Sequence, residues 1–148
     1  MVQTTPPLTE LYLADETAWL DAMVELIGAG AFAELDFANL REYLQDMARR
    51  DRREVLSRLT QLLLHVLKWE FQPAMRSSSW KRSIALQRRE LNRDVESGVL
   101  RNHAESCLAE AYRDAVEDAA AESGIPASVF PTECPYSLDE LLTYEAVE

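Results

Sequence analysis

Between positions 65 and 88 the chain gathers the residue types that bind or move charged groups: His65, Lys68, Gln72, Arg76, Ser77, Ser79, Gln87 and Arg88. Their chemistry is of two kinds. Serines at a helix start expose free backbone N–H groups and the positive end of the helix dipole, and Arg76, Lys81 and Arg82 add charge there, so the stretch "RSSSWKR" suits a small anion, a nucleotide or a nucleic-acid end. His65, assisted by the neighbouring Arg and Ser residues, suits general acid/base work in an enzyme. Against both stands a structural reading, in which His65, Gln87 and Arg88 satisfy backbone carbonyls at a corner and pair with acids from elsewhere in the chain.

The elements that must position these residues are helices. At about 100° per residue, Val55, Leu56, Leu59, Leu62, Leu63, Val66, Leu67 and Trp69 fall on one apolar arc, and Glu54, Arg58, Gln61, His65, Lys68 and Gln72 run beside it. Glu70 falls within that arc, so the last turn is expected either to fray before Pro73 or to bury a carboxylate paired with Arg76. Pro73 ends the helix, and the serines cap another that carries Trp80, Ile84, Leu91 and Val95 on one face with Gln87 and Arg88 at its border.

The rest of the chain reads the same way. Asp15 caps a helix with Trp19, Leu20, Met23, Leu26 and Ile27 in helical register, ending near Gly28, and Asp36 is the next cap. From Asp36 to Phe71 neither Gly nor Pro intervenes, which is compatible with one long helix or with two joined in the charged run "ARRDRRE". Residues 99–123 have a small inner face, with Ala104, Cys107, Ala111, Ala115 and Ala119, and Gly124 supplies the stop. Residues 125–148 are irregular until Ser137 and Glu140, whose spacing is that of a capping box before a last short helix. No strand alternation appears. The expected fold is all-α: a compact antiparallel bundle of four or five main helices, in a single domain covering 1–148, with a flexible start over residues 1–10 and an irregular C-terminal segment.

Charge and cysteine content exclude several function classes. The net charge of −11 argues against a general nucleic-acid binder and against binding to anionic membranes. Its layout is uneven: residues 1–40 hold seven acids and no base, residues 41–101 hold eight acids and fourteen bases, and residues 102–148 hold eleven acids and one base. The acidic ends are therefore expected to fold back on the basic middle. Cys107 and Cys134 are too few for a disulfide framework and lack zinc-ligand spacing, which suits a reducing cytoplasm. There is no HExxH, P-loop or GxGxxG, and neither histidine has the Glu-x-x-His spacing of a di-iron bundle, so no metal and no cofactor is expected. No apolar run reaches the length of a membrane span.

In order along the chain, "LYLADETAWL", "LDFANLREYLQDM", "RREVLSRLTQLLLHVLKWEFQP", "RSSSWKRSIALQRREL", "AYRDAVEDAAAESGI" and "FPTECPYSLDELL" resemble the bacterial domain-of-unknown-function family numbered twenty-nine. The resemblance implies an all-helical single domain and no particular activity. Its blocks contain His65, Lys68, Gln72, Arg76, Ser77, Ser79, Gln87 and Arg88, the residues that helical projection had selected. Taken together, the sequence leads to an expectation of a small non-catalytic module that binds a protein partner or a second copy of itself, with the anion site and the His65 enzyme as alternatives.

Overall fold

The computed structural model describes residues 6–148, all of whose regular structure is helical. The α-helices are α1 (Leu8–Ala14), α2 (Glu16–Gly28), α3 (Phe37–Phe71), α4 (Ser78–Asp94), α5 (Gly98–Ser123) and α6 (Leu138–Leu142), with short 3-10 turns at Phe32–Glu34, Pro73–Met75 and Ala127–Val129. The segment from Asp36 to Phe71 thus forms one helix rather than two, since nothing in its charged run interrupts the backbone ladder. Two compact units share it, one ending at Arg49 and one from Arg50 to Glu148.

In the first unit, α1 begins at Leu8, within the residues 1–10 expected to form a flexible start; residues 1–5 lie outside the described part. Asp15 terminates α1 and caps α2, its carboxylate accepting from the Ala18 N–H at 3.1 Å. Trp19 and Met23 are the buried apolar residues of α2. The Trp19 ring packs against Tyr12 and Tyr43, with centroids 4.7 and 5.9 Å away, and its Nε1–H donates to Asp36 Oδ2 at 3.1 Å. That carboxylate also accepts from Asn39 Nδ2 at 2.7 Å, which is how a nearly buried acid remains satisfied just before α3 begins.

The second unit has a larger core. Val55, Leu59, Leu62, Leu63, Val66, Leu67 and Trp69 of α3 meet Ile84 and Leu91 of α4, the alanine face of α5 and Leu138 and Leu141 of α6. Contacts along the helices give their directions. Lys68 reaches Trp80 and Arg58 reaches Asp94, so α4 runs antiparallel to α3; His103 reaches Arg52 and Lys68 reaches Glu122, so α5 returns parallel to α3. Alanines on α5 let it approach closely, because a methyl group holds neighbouring backbones apart less than a branched side chain does.

The caps at Ser77 and Ser137 follow the sequence, and Ser97 adds one that was not expected. Ser77, Ser97 and Ser137 accept from the N–H groups of Trp80, Leu100 and Glu140, and Gly124 adopts φ 75° at the end of α5, a conformation that favours glycine. The irregular stretch after Gly124 is anchored by Tyr112, whose hydroxyl donates to the Pro131 carbonyl at 2.6 Å, and by Phe130, whose ring lies 4.8 Å from that of Phe71. Within this unit the basic middle does pair with acids that follow it, through Lys68–Glu122 and Arg101–Asp139, both at 2.6 Å. Arg58 Nε and Asp94 Oδ2 are 3.4 Å apart but not aligned for a hydrogen bond. Burial raises the Asp94 carboxyl above its ordinary range, and the Arg58 charge only partly opposes that. No helix among the described residues is long and apolar enough to cross a membrane.

Candidate functional site

The corner joining α3 to α4 is built by Pro73, which ends the α3 ladder, and by Ser77, which starts the next one. Contrary to both expectations for Glu70, the helix stays regular through Phe71 and the carboxylate is exposed, accepting a hydrogen bond from the Tyr144 hydroxyl. Residues that follow α6 supply that partner, which neither reading of the α3 projection contained.

The polar residues selected from the sequence divide among several partners. His65 is half-buried, and its Nδ1 lies 2.8 Å from the Gln61 carbonyl one turn earlier. Since a carbonyl only accepts, Nδ1 carries the proton. His103 uses Nε2 in the same manner, donating to the Arg52 carbonyl at 3.2 Å. Lys68 is held between Glu122 and the Trp80 ring, 5.0 Å from its centroid. Gln72 is half-buried at the end of α3, where its carbonyl accepts from the Met75 N–H at 2.9 Å.

Arg76 folds back over the corner. Its Nε–H donates to the Trp69 carbonyl at 3.0 Å while the guanidinium covers the Trp69 ring at 4.9 Å, so it closes an α3 carbonyl that the helix itself leaves open. The Ser77 hydroxyl is used as the α4 cap, and Ser79 is exposed in the first turn. Arg88 Nη1 donates to the Tyr144 carbonyl at 2.5 Å. Gln87 is half-buried and its Oε1 has no hydrogen-bond partner.

These partners favour the structural reading of the corner. Arg76 and Ser77 do line one cavity of about 260 Å³ with Trp69, Ser78, Lys81 and Glu148, and Arg88 lines another of about 250 Å³ with Lys81, Ile84 and residues 145–147. Lys68 is turned to Glu122 and His65 to its own helix, so the sequence-selected residues are not assembled around a single reacting centre. Two participants were absent from the sequence reading. Asn92 stands one turn beyond Arg88 and donates to the Leu142 carbonyl at 2.9 Å, a position that the i, i+4 rule makes visible in retrospect. Residues 143–148 form the other wall and carry no periodicity that would have revealed it.

Neither thiol is poised for chemistry. Burial pushes Cys107 and Cys134 up, and each Sγ–H points to a backbone carbonyl, of Ala104 and Tyr136 respectively. No group of three or more His, Cys, Asp or Glu side chains able to hold a metal ion occurs among the described residues.

Tyrosines near Glu70 carry the strongest electrostatic signature. Burial, with the Glu70 charge second, pushes Tyr136 up to about 12, and burial together with the Glu70 hydrogen bond raises Tyr144 further. A phenol whose folded value lies above its unfolded value of ~10 keeps its stabilising contribution below that pH and loses it as pH rises. The thermal midpoint is therefore expected to fall between about pH 10 and pH 12, and Tyr144→Phe is expected to flatten the fall. Wild-type and variant midpoints that decline in parallel across that range would contradict the assignment.

Comparison with known proteins bears on the whole chain rather than on this corner. No curated protein and no solved structure matches it. One family model does, over residues 11–146, a span that takes in all of α2 to α6 and the corner between α3 and α4. An all-helical fold in both units agrees with that match, and the chain belongs to the family described as Domain of unknown function DUF29.

Proposed function

We propose that the protein is a non-catalytic interaction module, and that its first unit docks a basic amphipathic helix of a partner protein. The observation that carries this reading is an apolar face along the start of α3. Phe37, Leu40, Leu44 and Ala48 recur at helical spacing and, with Arg41 and Gln45, line a groove of about 450 Å³. Phe37 and Leu44 are 60% and 59% exposed, although helix formation alone would have allowed polar residues there. Val24, Ile27 and Phe32 in the same unit are exposed as well. Exposed apolar residues this dense, in a unit whose own core is small, are expected of a recognition surface.

The partner's chemistry follows from the net charge of the segment that carries this face, although Arg41 itself lines the groove. Through Arg49 the chain holds nine acids and two bases, so an apolar helix flanked by Lys or Arg would complement it, and an acidic helix would be repelled. The module works in a reducing cytoplasm, where Cys107 and Cys134 stay as free thiols.

A photo-crosslinking amino acid at position 44, compared with one at the exposed Glu117 of α5, tests the reading. Position 44 is expected to yield adducts with apolar segments of net positive charge, and Leu40→Glu is expected to suppress them several-fold. Adducts that do not differ between the two positions would overturn the proposal, as would adducts formed only with a second copy of this chain.

A further inference from the structure

Residues 143–148 lie as a non-helical strap along α4 and the end of α3, and the body of the second unit grips mainly their backbone. Together with the preceding residue, they present carbonyls to a row of side-chain donors: Asn92 to Leu142 at 2.9 Å, Arg88 to Tyr144 at 2.5 Å and Trp69 Nε1 to Val147 at 3.1 Å. Ala146 is buried, while Glu145, Val147 and Glu148 are exposed. Donors aimed at carbonyls accept any residue there, so selectivity must come from the small seat under Ala146, from the Tyr144 ring against Glu70 and Tyr136, and from charge.

Charge is complementary on the two walls. In one cavity Lys81 and Arg88 face the strap residues Glu145, Ala146 and Val147; in the other, Arg76 and Lys81 share the lining with Glu148. Lys81 makes no ion pair among the described residues, and the two cavities leave about 250 and 260 Å³ unfilled beside the strap. A strap held largely by its main chain, with Ala146 buried, Tyr144 half-buried against Glu70 and Tyr136, and spare volume on both sides, fits a groove that other segments can also enter.

We propose that the groove between the end of α3 and α4 is a docking site for an acidic, non-helical peptide segment of a partner protein, which residues 143–148 occupy in cis. Because the strap is tethered, its effective concentration is of millimolar order, and a free peptide meets that competitor in the wild-type chain. Weakening the strap without touching the groove should therefore tighten binding in trans. The groove is separate from the apolar face of the first unit, so the two proposals stand or fall independently.

The probe is a fluorescein-labelled peptide with the sequence of residues 142–148, titrated by anisotropy into the full chain. Tyr144→Ala removes the strap's bond to Glu70 and its ring contact with Tyr136, and is expected to bind the peptide roughly tenfold more tightly than wild type does. Binding should weaken with salt and disappear for a peptide carrying Glu145→Lys and Glu148→Lys. In the wild-type chain, saturating peptide should raise deuterium uptake in residues 143–148 and lower it in the first turn of α4. A folded Tyr144→Ala chain that binds no more tightly would overturn the proposal, as would equal binding of the charge-reversed peptide. If that variant fails to fold, the wild-type exchange experiment decides alone, and unchanged uptake in the strap at peptide concentrations up to solubility counts against the proposal.

Discussion

Trp69→Ala is expected to destabilise the second unit by ~3–5 kcal/mol, measured as a loss in urea-unfolding free energy followed by far-UV circular dichroism. The ring is 2% exposed, so its removal leaves a cavity among the apolar residues of α3 and α4 rather than a hydrated surface notch. Two further contacts are lost with it. The Val147 carbonyl loses its indole donor, which frees one end of the strap, and the Arg76 guanidinium loses the face it covers. Small domains are stable by only ~5–15 kcal/mol, which makes this a large fraction of the total. Trp69→Phe keeps most of the packing and gives up the indole donor and part of the ring, so its cost should be well below half that of the alanine variant. An unfolding free energy for Trp69→Ala within error of wild type would mean that the ring is not buried.

In the first unit the corresponding residue is Trp19, and Trp19→Ala is expected to cost a similar ~3–5 kcal/mol locally. Its consequences should be more visible, because among the described residues of this unit Trp19 and Met23 are the buried apolar ones. The indole is inaccessible to solvent and contacts both Tyr12 and Tyr43. Its loss also leaves the Asp36 carboxylate, 9% exposed, with Asn39 as the remaining partner of those two. A nearly buried acid that loses one of its donors is costly in itself, because part of its desolvation is no longer offset. Hydrogen exchange of the amides from Leu8 to Asp36 reads the effect directly: protection should fall by at least a hundredfold in Trp19→Ala, and by much less in Leu13→Ala, whose side chain is 87% exposed. Equal protection in wild type and Trp19→Ala would refute the role given to this ring.

How far the corner was legible depends on the range of the interactions involved. Ser77 as a cap, Gly124 as a stop and the apolar arc from Val55 to Trp69 are set by neighbours within about one or two helical turns, and local sequence encodes them. Trp80 was placed with the core by its register on α4, and it is half-buried there, packed against the core with the Lys68 ammonium over its ring. Glu70 escaped for a related reason. Helical projection put it inside the apolar arc, but its surroundings depend on Tyr144, seventy-four positions away, which takes its carboxylate at the surface.

From the sequence alone came an all-helical chain, its caps and stops, its apolar faces and a concentration of polar groups where α3 meets α4, because each rests on periodicity or on backbone rules acting over a few residues. Partners for those polar groups came only with the tertiary structure. Arg88, Asn92 and Trp69 meet carbonyls of a segment that has no helical repeat, and Lys68 meets Glu122, fifty-four positions along the chain. Nothing in local spacing specifies such pairs; they exist because packing the apolar faces brings distant backbone within hydrogen-bonding reach, where a buried donor must find an acceptor.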